Sequence, residues 1–117
     1  MQWTKIVQRR SGDVVILQVR GTMTLSASPA DLVTLINRLV KQGDRKILLN
    51  LRQVPFIDSQ GLADIVDGFR IARSAGGALQ LCQVAERIRD LLKVTKLATV
   101  IQAFDSEEEA LNGSRSL

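Results

Sequence analysis

The order in which strand-like and helix-like runs follow one another restricts the fold of this sequence more than any other feature. Two strand-like runs, residues 4–10 and 14–20, flank the turn-forming Ser11-Gly12-Asp13 and predict a hairpin. Beyond the hairpin, apolar runs of strand length alternate with runs whose apolar residues recur every three or four positions. The resulting order, β-β-α-β-α-β-α-β-α, predicts parallel pairing with right-handed crossovers for the later strands.

The predicted fold class is a single α/β domain, with a mixed, mostly parallel sheet of about five strands and four helices. In the second strand, Val15, Leu17 and Val19 share one face, and Val14 and Ile16 share the other. Both faces of the sheet should therefore be covered. The first helix is predicted to begin at Ser28-Pro29-Ala30-Asp31 and to end at Gly43. The further strands are expected at 47–51, 79–83 and 99–104, and the further helices after Asp58, over 85–94 and after Asp105.

Composition excludes several classes of function. At 117 residues the chain fits one domain, predicted over 1–112, followed by a short flexible tail at 113–117. The absence of His removes histidine triads and histidine phosphocarriers, and the single Cys82 leaves no internal disulfide and no zinc set, so no metal and no cofactor are expected.

The charge pattern and the hydropathy argue against nucleic acid and against membrane insertion. The 16 basic residues give a net charge of +4, but they are scattered, and no aromatic residue lies among them to stack on bases. No apolar run is long enough to span a bilayer, and no signal peptide precedes the first strand, so a cytoplasmic location is expected.

The segment 55–61 is the candidate functional site. It joins the central strand to the second helix, and in open α/β sheets functional residues gather where strands end and helices begin. Either Asp58 or Ser59 is expected to cap the helix, and Gly61 gives close access to its backbone. A helix N-terminus favours anions, so a phosphate on Ser59 would be tolerated while changing the surface charge. On spacing alone a plain helix cap is favoured, because Asp-Ser before a helix is common.

The stretch Val54-Pro55-Phe56-Ile57-Asp58-Ser59-Gln60-Gly61-Leu62 resembles the D-S-x-G signature of the STAS domain, the fold of the anti-sigma factor antagonists. The resemblance continues through Gly76-Gly77, through 91–97 and through the closing Phe104-Asp105-Ser106-Glu107-Glu108-Glu109-Ala110-Leu111, so it covers nearly the whole chain.

The resemblance implies a bacterial partner-switching regulator without catalytic activity. Unphosphorylated, such a protein binds an anti-sigma factor that is also a serine kinase. Phosphorylation of Ser59 would release this partner, and a metal-dependent serine phosphatase would reset the switch. The predicted neighbours of the phosphorylated serine are Asp58, Gln60 and Gly61, and the predicted partner-binding residues are Thr22, Met23, Thr24, Phe56 and Ile57.

The sequence departs from the family pattern at two places. Many members carry acidic residues after the second strand, where this chain has Gly21-Thr22-Met23-Thr24, and an Asp near the end of the central strand, where it has Asn50. Both places are expected near the Ser59 end of the sheet. The loss of these charges removes repulsion toward phosphate and also possible contacts with the kinase.

Two alternatives stay open at this point. A STAS subunit could dock constitutively in a larger transport-associated or signalling complex, without phosphorylation. A small enzyme or phosphocarrier could use Cys82 as its nucleophile, although a buried structural cysteine is the more common role within a strand.

Overall fold

A five-stranded sheet forms the centre of the computed structural model, which describes residues 5–24 and 32–115. The strands lie in the order β1-β2-β3-β4-β5. Their bounds are β1 Lys5–Ser11, β2 Val14–Arg20, β3 Lys46–Gln53, β4 Ala78–Cys82 and β5 Ala103–Phe104. β1 pairs antiparallel with β2, and the other neighbours pair in parallel. The predicted mixed, mostly parallel sheet is therefore confirmed.

Four α-helices accompany the sheet, as predicted. They are α1 Leu32–Lys41, α2 Ser59–Ser74, α3 Glu86–Val94 and α4 Glu107–Arg115. Gly43 ends the α1 region with a φ of 104°, a conformation that glycine adopts without strain. The predicted start of α1 at Ser28-Pro29-Ala30-Asp31 lies outside the described residues.

The helices cover the two faces of the sheet unequally. The larger core cluster joins Leu17 and Leu49 of the sheet to residues of α1, α2 and α3 such as Ile36, Ile65 and Ile88. The smaller cluster lies on the opposite face and contains Val14, Ile16, Leu48, Cys82 and Ala110 of α4. Alternate residues of β2 are buried in both clusters, which confirms that both faces of this strand are covered.

The structure corrects the expected bounds at the C-terminal end of the chain. The predicted strand 99–104 is reduced to Ala103–Phe104, because Leu97–Thr99 form a single 3-10 turn and Ile101 turns into the core. In the sequence, apolar residues that enter the core from a turn therefore look like part of a longer strand.

The last helix is also longer than expected. α4 continues to Arg115, three residues beyond the predicted end of the domain at 112.

Candidate functional site

The candidate site lies where β3 leads into α2, and we call residues 21–24 together with 54–61 the Ser59 edge. Val54 and Ile57 are buried at 0% and 5% exposure and anchor the connecting segment to the core. Pro55 and Phe56, between them, are exposed. Pro55 and Phe56 therefore form a short surface segment directly before α2.

Asp58, and not Ser59, caps α2. Its Oδ1 accepts hydrogen bonds from the backbone N–H of Gln60 at 2.9 Å and of Gly61 at 3.1 Å. Ser59 is the first helical residue and is exposed. Its hydroxyl makes no hydrogen bond with any of the described residues. The two roles that the sequence left open are thus separated: the aspartate holds the helix end, and the serine hydroxyl faces solvent.

The loop after β2 is fixed against this segment by backbone hydrogen bonds. Met23 N–H donates to the Phe56 carbonyl at 3.1 Å, and Asp58 N–H donates to the Met23 carbonyl at 3.1 Å. This pairing forms an isolated parallel bridge between Met23 and Ile57. The prediction that Gly21-Thr22-Met23-Thr24 lies at the Ser59 end of the sheet is therefore confirmed by geometry.

Gly61 permits this close approach. A Cβ at Gly61 would lie 2.1 Å from the Met23 carbonyl oxygen, far inside van der Waals contact. The space beside Gly61 is occupied by the neighbouring loop of the same chain, and Gly61 itself is buried.

The predicted partner-binding residues divide into exposed and buried ones. Phe56 is 41% exposed, more than either of the other two Phe side chains. Thr22 and Thr24 are partly exposed, and each has an interaction partner. Met23 and Ile57, however, are buried at 0% and 5% exposure, so their assignment as partner contacts is corrected. The side chains of Met23 and Ile57 pack in the core and attach the Ser59 edge to it, because the bridge between the two loops directs both side chains inward.

Asn50 lies on the face of the sheet that carries α4, opposite the face covered by α2. Its Nδ2 donates to Gln83 Oε1 at 2.9 Å and to the Glu107 carboxylate, and its Oδ1 accepts from Arg52 N–H at 2.9 Å. At 3% exposure it is buried and fully hydrogen-bonded. Asn50 thus joins β3 to the start of α4.

Glu107 completes this network and was not singled out from the sequence. It forms an ion pair with Arg9 on β1. The hydrogen bond from Arg9, followed by the one from Asn50, lowers the pKa of Glu107, while partial burial acts in the opposite direction. No sequence pattern singles out Glu107, because the amide of Asn50 can donate equally to a carbonyl, an amide oxygen or a carboxylate.

Cys82 is fully buried within β4. Burial, and then the neighbouring Glu107 carboxylate, raise the pKa of the Cys82 thiol to about 12. Since the thiolate is the nucleophile, this environment disfavours the nucleophilic role that the sequence left open.

The described residues hold no group of three or more His, Cys, Asp or Glu side chains that could bind a metal ion. None of the described helices is long and apolar enough to cross a membrane.

Comparison with known proteins places this geometry in a family. The model described as STAS domain matches residues 5–110. A Thermotoga neapolitana protein, described as a candidate anti-sigma factor antagonist, is 31% identical over 85% of this chain and 88% of its own length. The anti-sigma-B factor antagonist of Bacillus subtilis is 26% identical over 87% of this chain and 91% of its own.

Solved structures show the same fold. The anti-sigma factor antagonist SpoIIAA in its unphosphorylated form has a TM-score of 0.75 and 18% identity, covering 97% of this chain and 99% of its own. SpoIIAA of Bacillus in the phosphorylated form has a TM-score of 0.73 and 18% identity, covering 92% and 97%. Since the family model spans nearly the entire described chain and the sheet has the architecture of these structures, this chain belongs to the STAS domain family.

Proposed function

We propose that this chain is an anti-sigma factor antagonist that switches partners through Ser59. In its unphosphorylated form it binds an anti-sigma factor that is also a serine kinase. Phosphorylation of Ser59 ends that complex, and a serine phosphatase restores the binding form. The domain itself supplies a docking surface and the acceptor hydroxyl, and the kinase and the phosphatase supply the chemistry.

The exposed Ser59 hydroxyl is the observation that carries the proposal. A serine that caps a helix commits its side-chain oxygen to a backbone N–H, and modification would then cost the cap. Here Asp58 accepts those hydrogen bonds, so the Ser59 hydroxyl is available to a kinase without unwinding α2. The membership in a family with relatives named as anti-sigma factor antagonists supports the same reading.

Charge explains how a phosphate at Ser59 would act as a switch. A phosphate brings about −1.5 to −2 charges and three acceptor oxygens. The N–H groups of Gln60 and Gly61 are already bonded to Asp58, and the Asp58 carboxylate repels a second anion beside it. The phosphate would therefore stay at the surface next to Phe56, where it changes the charge of the docking surface and leaves the core intact.

Phosphate analysis tests the proposal. The protein is incubated with ATP and with each candidate serine kinase from its own genome, and intact mass and peptide mapping locate the modification. We expect one phosphate at Ser59, none in Ser59→Ala, and an unchanged level in Ser74→Ala, which removes an exposed serine at the other end of the same helix. Binding to the kinase should persist in Ser59→Ala and be lost in Ser59→Asp.

The opposite result has a defined meaning. If no kinase modifies the protein, and Ser59→Ala and Ser59→Asp both retain partner binding, Ser59 has no switching role. The remaining reading is then the STAS subunit that docks constitutively in a larger complex, and co-purification with the other subunits of such a complex would identify it.

A further inference from the structure

Three cations lie together at one end of the sheet, and we call Lys5, Arg20 and Arg52 the basic edge. Lys5 begins β1, Arg20 ends β2, and Arg52 is the penultimate residue of β3. β1 runs antiparallel to β2, and β2 runs parallel to β3, so all three lie at the same end of the sheet as the Ser59 edge. All three are exposed.

The direction of the Lys5 and Arg20 side chains follows from the alternation along β1 and β2. The neighbours Ile6 and Val19 pack in the larger core cluster, on the face covered by α1, α2 and α3. Successive side chains of a strand point to opposite faces, so Lys5 and Arg20 point to the face of α4. The register of β3 shifts here and pairs Arg20 with Gln53, so Arg52 belongs to the basic edge through its position next to this pair and its exposure.

No carboxylate neutralises the basic edge within the described parts of the chain. The four ion pairs there belong to other cations, namely Arg9 with Glu107, Arg10 with Asp44, Lys46 with Asp13, and Arg89 with Asp105. Glu107, the acidic residue that α4 directs toward this end of the sheet, is already bonded to Arg9 and Asn50.

The arrangement is also unfavourable for the isolated protein. Lys5 lies directly opposite Arg20 in the antiparallel register. Like charges in directly opposed positions destabilise a sheet. The folded chain thus keeps a local repulsion that a bound anion would relieve.

We propose that the basic edge binds a carboxylate-rich segment of the protein partner that docks at the Ser59 edge. The inference rests on the proposed function and extends it by one property of the partner, the negative charge of the surface that docks here. Neighbouring strands are spaced about 4.8 Å apart, so three cations on adjacent strands match carboxylates spaced along a short acidic segment. A phosphate on Ser59 adds negative charge at the same end of the sheet, so it opposes the attraction of the basic edge for such a partner.

The size and composition of the patch favour an acidic protein segment over nucleic acid. Single-stranded nucleic acid is bound by aromatic platforms along a longer basic groove. The basic edge has three cations, and no aromatic residue lies on the described parts of β1, β2 and β3.

The first test uses hexaglutamate as the probe and does not depend on any kinase. At an ionic strength of about 0.01 M, where the Debye length is about 30 Å, NMR shifts of the backbone amides are followed during titration. We expect saturable shifts centred on Lys5, Arg20 and Arg52, and their loss in the triple variant Lys5→Gln/Arg20→Gln/Arg52→Gln. A matched triple variant of exposed cations on and after α3, Arg87→Gln/Lys93→Gln/Lys96→Gln, should keep the shifts.

Two outcomes of this titration would overturn the inference. Shifts centred elsewhere, or unchanged in the basic-edge variant, would show that the patch is not the anion site. Tighter binding at the same residues by oligothymidylate or by phosphatidylglycerol vesicles would replace the acidic protein segment with another occupant.

The second test measures association with the kinase identified through Ser59. The association rate constant should fall at least about tenfold in the basic-edge variant at low salt and remain unchanged in the α3 variant. Equal rate constants, with Ser59 still phosphorylated, would overturn the inference and leave the proposed function standing. If no kinase binds while hexaglutamate maps to the basic edge, the proposed function fails and the acidic-ligand site remains.

Discussion

Gly61 shows at the residue scale how one side chain determines the geometry of the Ser59 edge. The Met23 carbonyl oxygen lies only 2.1 Å from the place of a Cβ at residue 61, and the same oxygen accepts a hydrogen bond from the Asp58 N–H. The loop after β2 cannot retreat without breaking that hydrogen bond and the one from Met23 to Phe56. The position thus demands glycine through close approach of two backbones.

Gly61→Ala should destabilise the protein despite a better helix propensity. Alanine gains about 1 kcal/mol over glycine within a helix. Forcing an extra methyl group into a packed site costs about 1–3 kcal/mol, and here the obstacle is a hydrogen-bonded backbone carbonyl. We expect a net loss of about 1 kcal/mol or more in the free energy of unfolding, measured by urea denaturation.

Ala63→Ser is the matched control, since residue 63 is exposed in the same part of α2. It should change the free energy of unfolding by no more than about 0.5 kcal/mol. A Gly61→Ala variant as stable as the wild type would show that the Met23 loop moves freely.

At the residue scale, the sequence predicts features that depend on neighbouring side chains. It does not predict features that depend on contacts between distant parts of the chain. A helix start at Asp58 or Ser59 follows from local side-chain chemistry, but the choice between them depends on how the chain enters the helix. The burial of Met23 and Ile57 arises from a bridge between two loops more than 30 residues apart in sequence, and no pattern within either loop indicates it.

At the scale of elements, the network of Asn50, Glu107 and Arg9 joins β3, α4 and β1. Asn50 supplies an N–H donor to the Glu107 carboxylate from a buried position. An aspartate there would place a second carboxylate against the first. An aspartate at position 50 would therefore disfavour this particular attachment of α4.

Asn50→Asp should lower the free energy of unfolding by about 3 kcal/mol at pH 7, because one oxygen of the buried carboxylate keeps the Arg52 N–H donor while the other faces the Glu107 carboxylate. Repulsion and burial raise the pKa of the new carboxyl group, so the deficit should shrink as the pH falls toward about 4 and the group is protonated. Urea denaturation between these pH values measures both effects.

The double variant Asn50→Asp/Glu107→Gln tests the reason given for this loss. The glutamine amide can donate to the new aspartate, so much of the stability at pH 7 should return. A loss at pH 7 that the second substitution does not reduce would show that Glu107 is not the group responsible.

The ion pair of Glu107 also predicts the acid stability of the wild type. The hydrogen bond from Arg9 holds the pKa of Glu107 below its ordinary value of about 4.3. A carboxyl group with a lowered pKa stabilises the fold above that ordinary value, and this contribution is lost as the pH falls through the lowered value. Stability should therefore decline below about pH 4.3, and less steeply in Glu107→Gln.

Glu108→Gln is the control for this pH profile, because Glu108 is exposed on the same turn and forms none of the ion pairs described above. The two variants are compared with the wild type between pH 7 and pH 3, and only Glu107→Gln removes the carboxylate that Arg9 binds. Identical slopes in Glu107→Gln and the wild type would contradict the role of the Arg9 pair.

Prediction of elements from sequence was accurate for the periodic ones and weakest at the sheet edge. α3 was expected over 85–94 and is observed as Glu86–Val94, since its apolar spacing is helical throughout. β5 contains two residues instead of six, because Val100 is exposed and Ile101 enters the core from a turn. A short apolar run does not reveal whether its residues pack from a strand or from a turn.

At the scale of the whole molecule, the reactivity of the Cys82 thiol measures how readily the folded domain opens. β4 pairs with β3 on one side and β5 on the other, and the thiol is fully buried beneath α4. Burial raises the pKa of Cys82 to about 12, so both access and thiolate formation are suppressed in the folded state. Reaction of the thiol should thus require cooperative opening of the domain.

Labelling of Cys82 by an aromatic disulfide such as Ellman's reagent should be at least about a thousandfold slower in the native protein than in urea-unfolded protein. An opening free energy of about 5 kcal/mol already corresponds to more than three powers of ten. The variant Cys82→Ala/Ser74→Cys carries its cysteine at an exposed helix position and should react without such protection. Rapid labelling of native Cys82 would instead mean an accessible thiolate, and the nucleophilic role for this residue would return in place of a structural one.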